Sequence, residues 1–161
     1  MVEMKKLLIA LLLGLAILPF AASGQSQGQV TYRKWGVFGG YKDKQTGPNA
    51  WRVWTGVNGA APEGSASWIA LYRAAELANL AGFRFFQIVY QKSQLTYLRI
   101  GNGDFDLTGP GGAELEIIAT NDPAPPSICR AAKPEYCMTL DAKMTMDQIA
   151  PRLKFPKRKS D

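Results

Sequence analysis

Few residue types in this chain could do chemistry, because it contains no histidine. Ser-His-Asp and Cys-His sites, histidine-ligated metals and histidine bases are therefore excluded. Glu114 and Glu116 lie two residues apart on a predicted strand and so point to the same face of a sheet. Two carboxylates can serve as the acid and base of a hydrolase or transferase. Alternating strands also place polar residues on their solvent-exposed face, which would explain the two glutamates without catalysis. A binding role is therefore the first hypothesis, and catalysis is the alternative.

The two cysteines, Cys129 and Cys137, lack the Cys-x-x-Cys spacing of redox motifs and cannot complete a zinc site without histidine. In an oxidising compartment they predict a disulfide, which would stabilise the fold by about 2.5 kcal/mol through loop entropy. The segment from Asn102 to Asp106 begins like a calcium loop, but Leu107 stands where such a loop needs glycine. We predict no catalytic residue, no metal and no cofactor.

Four side chains are candidates for contacts. Arg73 and Glu76 are three residues apart on a predicted helix, which favours a structural ion pair that holds the helix against the first hairpin through Tyr41. The alternative is that Arg73 binds an anion. Arg52 and Trp54 point away from the predicted core side of their strand, so they are candidates for an exposed binding face.

The chain has 161 residues and a net charge of +6, and most of this charge is concentrated in a C-terminal tail. The tail, residues 152–161, has a net charge of +4, so the preceding domain is almost neutral and a nucleic-acid-binding face is not expected. A basic tail can dock on an anionic envelope surface at about 1 kcal/mol per residue, or it can be a merely solvated terminus. Another envelope protein is the other predicted partner. The basic residues of the tail are Arg152, Lys154, Lys157, Arg158 and Lys159.

Residues 1–24 predict a secretory signal peptide. Lys5 and Lys6 precede an apolar run from Leu7 to Phe20, which is shorter than the roughly 20 residues of a membrane span. Cleavage before Gln25 leaves an exported protein with no transmembrane span, with the periplasm as its expected location and the extracellular space as the alternative. An uncleaved N-terminal anchor is the other interpretation.

The order of the predicted strands and helices that would position these residues indicates one α+β domain over residues 25–151. The expected order is β-β-α-β-β-β, with an antiparallel sheet of four to five strands and one main helix packed on one face. Ser65 or Ser67 is predicted to cap the main helix, and Gly82 to end it. Thr145 and Gln148 form a capping-box pattern that predicts a short C-terminal helix starting near residue 146. The predicted strands cover residues 36–44, 50–57, 83–91, 95–100, 114–120 and 138–140.

Four motifs follow one another along the chain: Gly39-Gly40-Tyr41, Trp51-Arg52-Val53 with Gly59, Leu71-Tyr72-Arg73-Ala74-Ala75-Glu76-Leu77, and Gly82-Phe83. Over about residues 39–90 this pattern resembles a small family of uncharacterised bacterial cell-envelope proteins, many of them lipoproteins. The resemblance implies an envelope location and an α+β fold, and it implies no catalytic residue. The chain lacks the lipid-accepting cysteine of that family, which favours a soluble exported protein.

Overall fold

The computed structural model describes residues 28–58, 60–93, 99–101, 104–106 and 111–157. The predicted signal segment lies outside these ranges, as do Arg158 and Lys159 of the basic tail. In chain order the strands are β1 (Val30–Thr31), β2 (Gly39–Gly47), β3 (Ala50–Val57), β4 (Phe85–Ser93), β5 (Arg99–Gly101), β6 (Asp104–Asp106), β7 (Gly112–Thr120), β8 (Met138–Asp141) and β9 (Leu153–Lys154). The helices are α1 (Ser65–Leu80) and α2 (Ala142–Ile149).

Five strands form one antiparallel sheet in the order β2-β3-β7-β4-β8, and α1 packs on one face of it. The α+β fold predicted from the sequence is confirmed, with five strands, one main helix and a short C-terminal helix. Two smaller pairs stand outside this sheet. Strand β1 runs parallel to β9, and β5 runs antiparallel to β6.

The first two strands of the sheet form the predicted hairpin around a turn at residues 46–49. Period-two alternation on β3 sends Val53 and Thr55 into the core, where they are 0% and 3% exposed. The same alternation sends Arg52 and Trp54 to the face opposite α1. We call this second face the outer face of the sheet.

Helix α1 meets the sheet through small side chains. Ala70, Ala74 and Ala78 are fully buried, and their size lets the helix lie close to the strands beneath it. The helix ends as predicted at Gly82, which has a φ of +83°. The Gly82 amide donates to the Asn79 carbonyl at 3.0 Å, so this carbonyl of the last helical turn has a hydrogen-bond partner.

The predicted serine cap of α1 is wrong. The residue before the helix is Gly64, which has a φ of +77° and provides no side-chain cap. Ser65 already lies inside the helix, and its hydroxyl donates back to the Pro62 carbonyl at 2.5 Å. Ser67 lies within the first turn as well, so neither serine is in a position to accept from the first helical amides.

The predicted start of α2 is also wrong, because the helix begins one turn earlier. Asp141 caps it, and its carboxylate accepts from the Met144 amide at 3.0 Å. Thr145 is buried within the helix and donates to the Asp141 carbonyl at 2.8 Å, so it does not form a capping box with Gln148. Within the described ranges, no helix has the length and apolar character needed to cross a membrane.

Candidate functional site

The outer face of the sheet holds the two predicted binding residues of β3. The Trp54 ring lies 5.3 Å from Nζ of Lys42 and 5.7 Å from the guanidinium carbon of Arg52. Trp54 is half-buried, whereas Trp35, whose ring also lies 5.3 Å from Nζ of Lys42, is 50% exposed. The exposed aromatic surface expected from Trp54 is therefore provided to a larger extent by Trp35.

The two predicted carboxylates share a depression of about 730 Å³ on the outer face with arginine side chains. Glu116 forms ion pairs with both Arg52 and Arg130, and Glu114 lies 3.5 Å from Nε of Arg52. Directly across the strands, Arg52 is paired in register with Glu116, which explains why these charges meet. Each carboxylate therefore has an arginine partner within the chain.

The segment after β7 crosses the outer face and closes one side of this depression. Cys129 and Cys137 lie at disulfide distance, with their sulfur atoms 2.01 Å apart. Between them, the Arg130 amide donates to the Val89 carbonyl at 2.7 Å, which fixes the segment against β4. The disulfide therefore belongs to the part of the chain that positions Arg130 over the carboxylates.

Arg73 lies at the centre of a partly buried network between α1 and the hairpin. Its Nε donates to Asp43 at 2.8 Å, and its Nη1 donates to Glu76 at 2.6 Å. The Tyr32 hydroxyl donates to the same Glu76 carboxylate at 2.5 Å. Burial alone would lower the pKa of Arg73, but the hydrogen bonds to Asp43 and Glu76 outweigh it and raise that pKa. The network joins α1 to β2 and to Tyr32, the residue that follows β1.

An aromatic cluster surrounds this network. The Arg73 guanidinium lies 4.9 Å from the Tyr41 ring, as the ion-pair interpretation anticipated, and Tyr41 stacks on Tyr32 at 4.7 Å. Burial, followed by the hydrogen bond to Glu76, raises the pKa of Tyr32 well above its usual value. Together these contacts make the Arg73 network a structural feature of the fold.

The beginning of the basic tail is packed against the domain. Leu153 is 3% exposed, and the Tyr32 amide donates to the Lys154 carbonyl at 2.9 Å. The Arg152 guanidinium lies 4.9 Å from the ring of a buried tryptophan, Trp68. Because β1 and β9 are parallel, the segments that follow them leave the pair in the same direction. Beyond β9, the Phe155 ring still lies 5.5 Å from the Tyr32 ring. The exposed Lys154 therefore lies beside Thr31, at the start of the chain that leads from β1 into β2.

That chain forms a tight turn, residues 35–38, which sequence analysis did not single out. Amide-to-carbonyl hydrogen bonds of 3.1 and 3.0 Å join Gly36 and Gly39 in both directions. The turn exposes Val37 by 95% and Phe38 by 66%, next to the half-exposed Trp35. Three large apolar side chains are therefore exposed to solvent at this turn. Periodicity alone had placed residues 36–44 in one strand.

Two glycines allow this turn to lie close to its neighbours. Gly40 has a φ of +132°, and a Cβ there would come within 2.6 Å of the carbonyl oxygens of Arg33 and Lys34. A Cβ at Gly39 would lie 2.2 Å from the Gly56 carbonyl oxygen. A larger residue at Gly39 would push the turn away from β3, and one at Gly40 would push β2 away from Arg33 and Lys34, so the glycine pair fixes the position of the turn.

Three basic residues adjoin the turn. The Arg33 guanidinium lies 5.5 Å from the Phe38 ring, and Nζ of Lys42 lies 5.3 Å from the Trp35 ring. Lys34, directly before the turn, is exposed and its backbone forms a β-bridge with Tyr41 of β2. None of the described carboxylates forms an ion pair with these three cations. We call Arg33, Lys34 and Lys42 the basic collar. The docking end of the molecule comprises the 35–38 turn, the basic collar and Lys154.

The described residues contain no group of three or more cysteine, aspartate or glutamate side chains that is placed to hold a metal ion. Asn102 and Leu107 of the calcium-like segment lie outside them. Comparisons of the chain with protein-family models, with curated proteins and with solved structures found no match. The resemblance to a cell-envelope family therefore stays a prediction.

Proposed function

We propose that this protein is an exported, non-catalytic module that docks on an anionic surface of the cell envelope. Export is supported by the signal-peptide pattern of residues 1–24, and an envelope location by the resemblance over residues 39–90. The periplasm is the proposed location. The docking end is the proposed contact surface, extended by the basic tail.

The observation that carries this proposal is the gathering of unpaired cations at one end of a nearly neutral domain. Four other arginines are matched with carboxylates, as Arg73 is with Asp43 and Glu76: Arg52, Arg73, Arg84 and Arg130. The basic collar has no such carboxylate among the described residues. Parallel pairing of β1 and β9 adds Lys154 from the far end of the chain, where the basic tail begins. Such a cluster is attracted to an anionic surface by about 1 kcal/mol per basic residue.

The alternative, a hydrolase or transferase, would use Glu114 and Glu116. Their pairing with Arg52 and Arg130 gives both carboxylates a role in holding the outer face together. A free carboxyl group that faces an acid or base partner across a cleft would have favoured catalysis. The ion pairs favour the binding module, and the enzyme stays the second hypothesis.

The test is co-sedimentation of the chain from Gln25 onward with isolated envelope at low and high salt. The predicted leader is left out because its apolar run would bind lipid by itself. We expect binding that weakens with salt, because exposed charges are screened at high ionic strength. A collar variant, R33Q/K34Q, should bind about tenfold more weakly or worse at low salt.

The matched control removes two lysines elsewhere, in K133Q/K143Q, whose side chains are 61% and 78% exposed. It has the same net charge as the collar variant and should bind like the unmodified chain. A tail variant, K157Q/R158Q/K159Q, keeps β9 intact and measures the contribution of the tail. Equal losses in the collar variant and its control would contradict a localised docking end, and absence of binding at every salt concentration would overturn the proposal.

A further inference from the structure

We infer that the 35–38 turn is a membrane-insertion element, and that the anionic surface bound by this protein is a phospholipid bilayer. The inference rests on the proposed docking function and specifies its partner and orientation. Val37 and Phe38 would enter the interfacial region of the bilayer, Trp35 would lie at headgroup depth, and the basic collar would contact lipid phosphates.

The first argument comes from the exposure of the turn. Val37 is the most exposed large hydrophobic residue among those described, at 95%, and Phe38 adjoins it at 66%. Both occupy the centre of a turn whose backbone is hydrogen-bonded within itself, between Gly36 and Gly39. Turn centres ordinarily hold glycine, proline, asparagine or aspartate, because these residues adopt the turn backbone readily or hydrogen-bond to it. Phe38 only borders a depression beside Val57 and Ile69, and burial in the core does not account for either side chain.

The second argument is that the turn is held in position. Trp35 donates its amide to the Tyr41 carbonyl at 2.7 Å, and its ring lies against Gly56, where a Cβ would come within 2.7 Å of the indole. The glycines at 39 and 40 fix the other side of the turn. The two apolar side chains are therefore presented by a defined backbone, which lowers the entropic cost of inserting them.

The third argument distinguishes a bilayer from other anionic partners. Charge alone would serve an anionic glycan equally well, but a glycan gives Val37 and Phe38 nothing apolar to enter. A small apolar tip surrounded by cations matches the two layers of a membrane interface, acyl chains beneath phosphate groups. Trp35 beside the tip has the amphipathic ring that is enriched at headgroup level. Charge and apolarity thus complement a bilayer in the correct order.

The test uses phospholipid vesicles that contain an anionic lipid, with the chain from Gln25 onward. The variant V37S/F38S removes the tip, and the matched control L80S/M144S replaces two exposed apolar residues elsewhere, 72% and 58% exposed. We expect V37S/F38S to lower the partition coefficient about tenfold or more, because both side chains lose apolar burial. L80S/M144S should leave it unchanged.

A second readout is depth. Vesicles with lipids brominated near the headgroup end of the acyl chains should quench tryptophan fluorescence in the unmodified chain. W35F should cause the largest loss of that quenching, because Trp51 and Trp68 are buried, at 8% and 3% exposed, and Trp54 is half-buried. Quenching that persists unchanged in W35F would contradict the orientation proposed here.

The remaining outcomes separate this inference from the proposed function. V37S/F38S could bind vesicles as tightly as the unmodified chain, with the same salt sensitivity and with no quenching of tryptophan fluorescence by the brominated lipids. That result would leave electrostatic docking intact and overturn insertion. Binding to isolated envelope with none to vesicles would identify a protein or glycan as the partner, and would also overturn insertion. Binding to neither would overturn both proposals.

Discussion

Among the described places where an arginine lies over an aromatic ring, those of Arg73 and Arg33 differ in almost everything else. Arg73 lies 4.9 Å from Tyr41 and donates to two carboxylates. Arg33 lies 5.5 Å from Phe38, which is 66% exposed, and has no described carboxylate as an ion-pair partner. The first cluster is typical of a structural network and the second of a contact surface. Residue types alone do not separate the two, whereas burial and carboxylate pairing do.

Replacing each of the two arginines by alanine tests most directly whether the two clusters have different roles. R73A leaves Asp43 and Glu76 partly buried without their cation, so we expect the free energy of unfolding to fall by about 3 kcal/mol. R33A removes an unpaired side chain at the surface and should change it by less than about 0.5 kcal/mol. Urea unfolding followed by tryptophan fluorescence measures both values. Equal effects would show that the two clusters have the same role.

The disulfide provides a second large effect, away from the docking end. C129S/C137S should lower the free energy of unfolding by about 2.5 kcal/mol, because the unfolded chain regains the entropy of an open loop. Vesicle binding should stay unchanged, since the disulfide-bonded segment is fixed against β4, three strands away from β2. A loss of binding in a variant that remains folded would mean that this segment takes part in docking.

A smaller effect is expected at the cap of α2, and it depends on pH. D141A should lower the free energy of unfolding by about 1 kcal/mol at neutral pH. The Met144 amide and Arg84 lower the pKa of Asp141, against a smaller opposing effect of burial. A lowered pKa stabilises the fold above the unfolded value of about 3.9, and this contribution is lost as the pH falls through the folded value. The difference between D141A and the unmodified chain should therefore shrink below about pH 4.

A control separates the cap from the charge at this position. Asparagine is an equally good cap residue but does not titrate, so D141N should be close to the unmodified chain at neutral pH. Its free energy of unfolding should also vary less with pH in the acid range. If D141N were as unstable as D141A at neutral pH, the charge, through Arg84, would matter more than the cap.

The smallest stability effect is expected at the turn that we propose to be most important for function. V37S/F38S should change the free energy of unfolding by less than about 0.5 kcal/mol, because both side chains are exposed in the folded protein. Urea unfolding of this variant beside L80S/M144S tests the expectation. A clear loss of stability in V37S/F38S alone would show that the tip packs against the domain and is a structural element.

Much of the fold could be predicted because its signals are local. Period-two alternation on β3 and β7, the alanine-rich face of α1 and the glycine at position 82 each act within a few residues of themselves. The errors at the helix starts have the same origin. Thr145 and Gln148 satisfy a local capping pattern, but Asp141 caps the helix one turn earlier and also bonds to Arg84. Nothing in the local pattern ranks the two caps.

The docking end could not be predicted from the sequence, because it depends on long-range contacts. Val30 pairs with Leu153, more than a hundred residues away, and this pairing brings the start of the basic tail next to β1. Val37 and Phe38 look like strand residues in an apolar run, and only the turn between Gly36 and Gly39 exposes them. The ion pair of Arg73 and Glu76 could be predicted from their spacing of three residues on α1. The second partner of Arg73, Asp43, lies on β2 and could not be predicted in this way.

The measurement that tests the central claim most directly is the partition of the unmodified chain, V37S/F38S and L80S/M144S onto anionic phospholipid vesicles, with their unfolding free energies measured in parallel. We predict that V37S/F38S binds about tenfold more weakly or worse while it stays as stable as the unmodified chain, and that L80S/M144S binds normally. Equal binding by all three would contradict a docking end that inserts its apolar turn into a membrane.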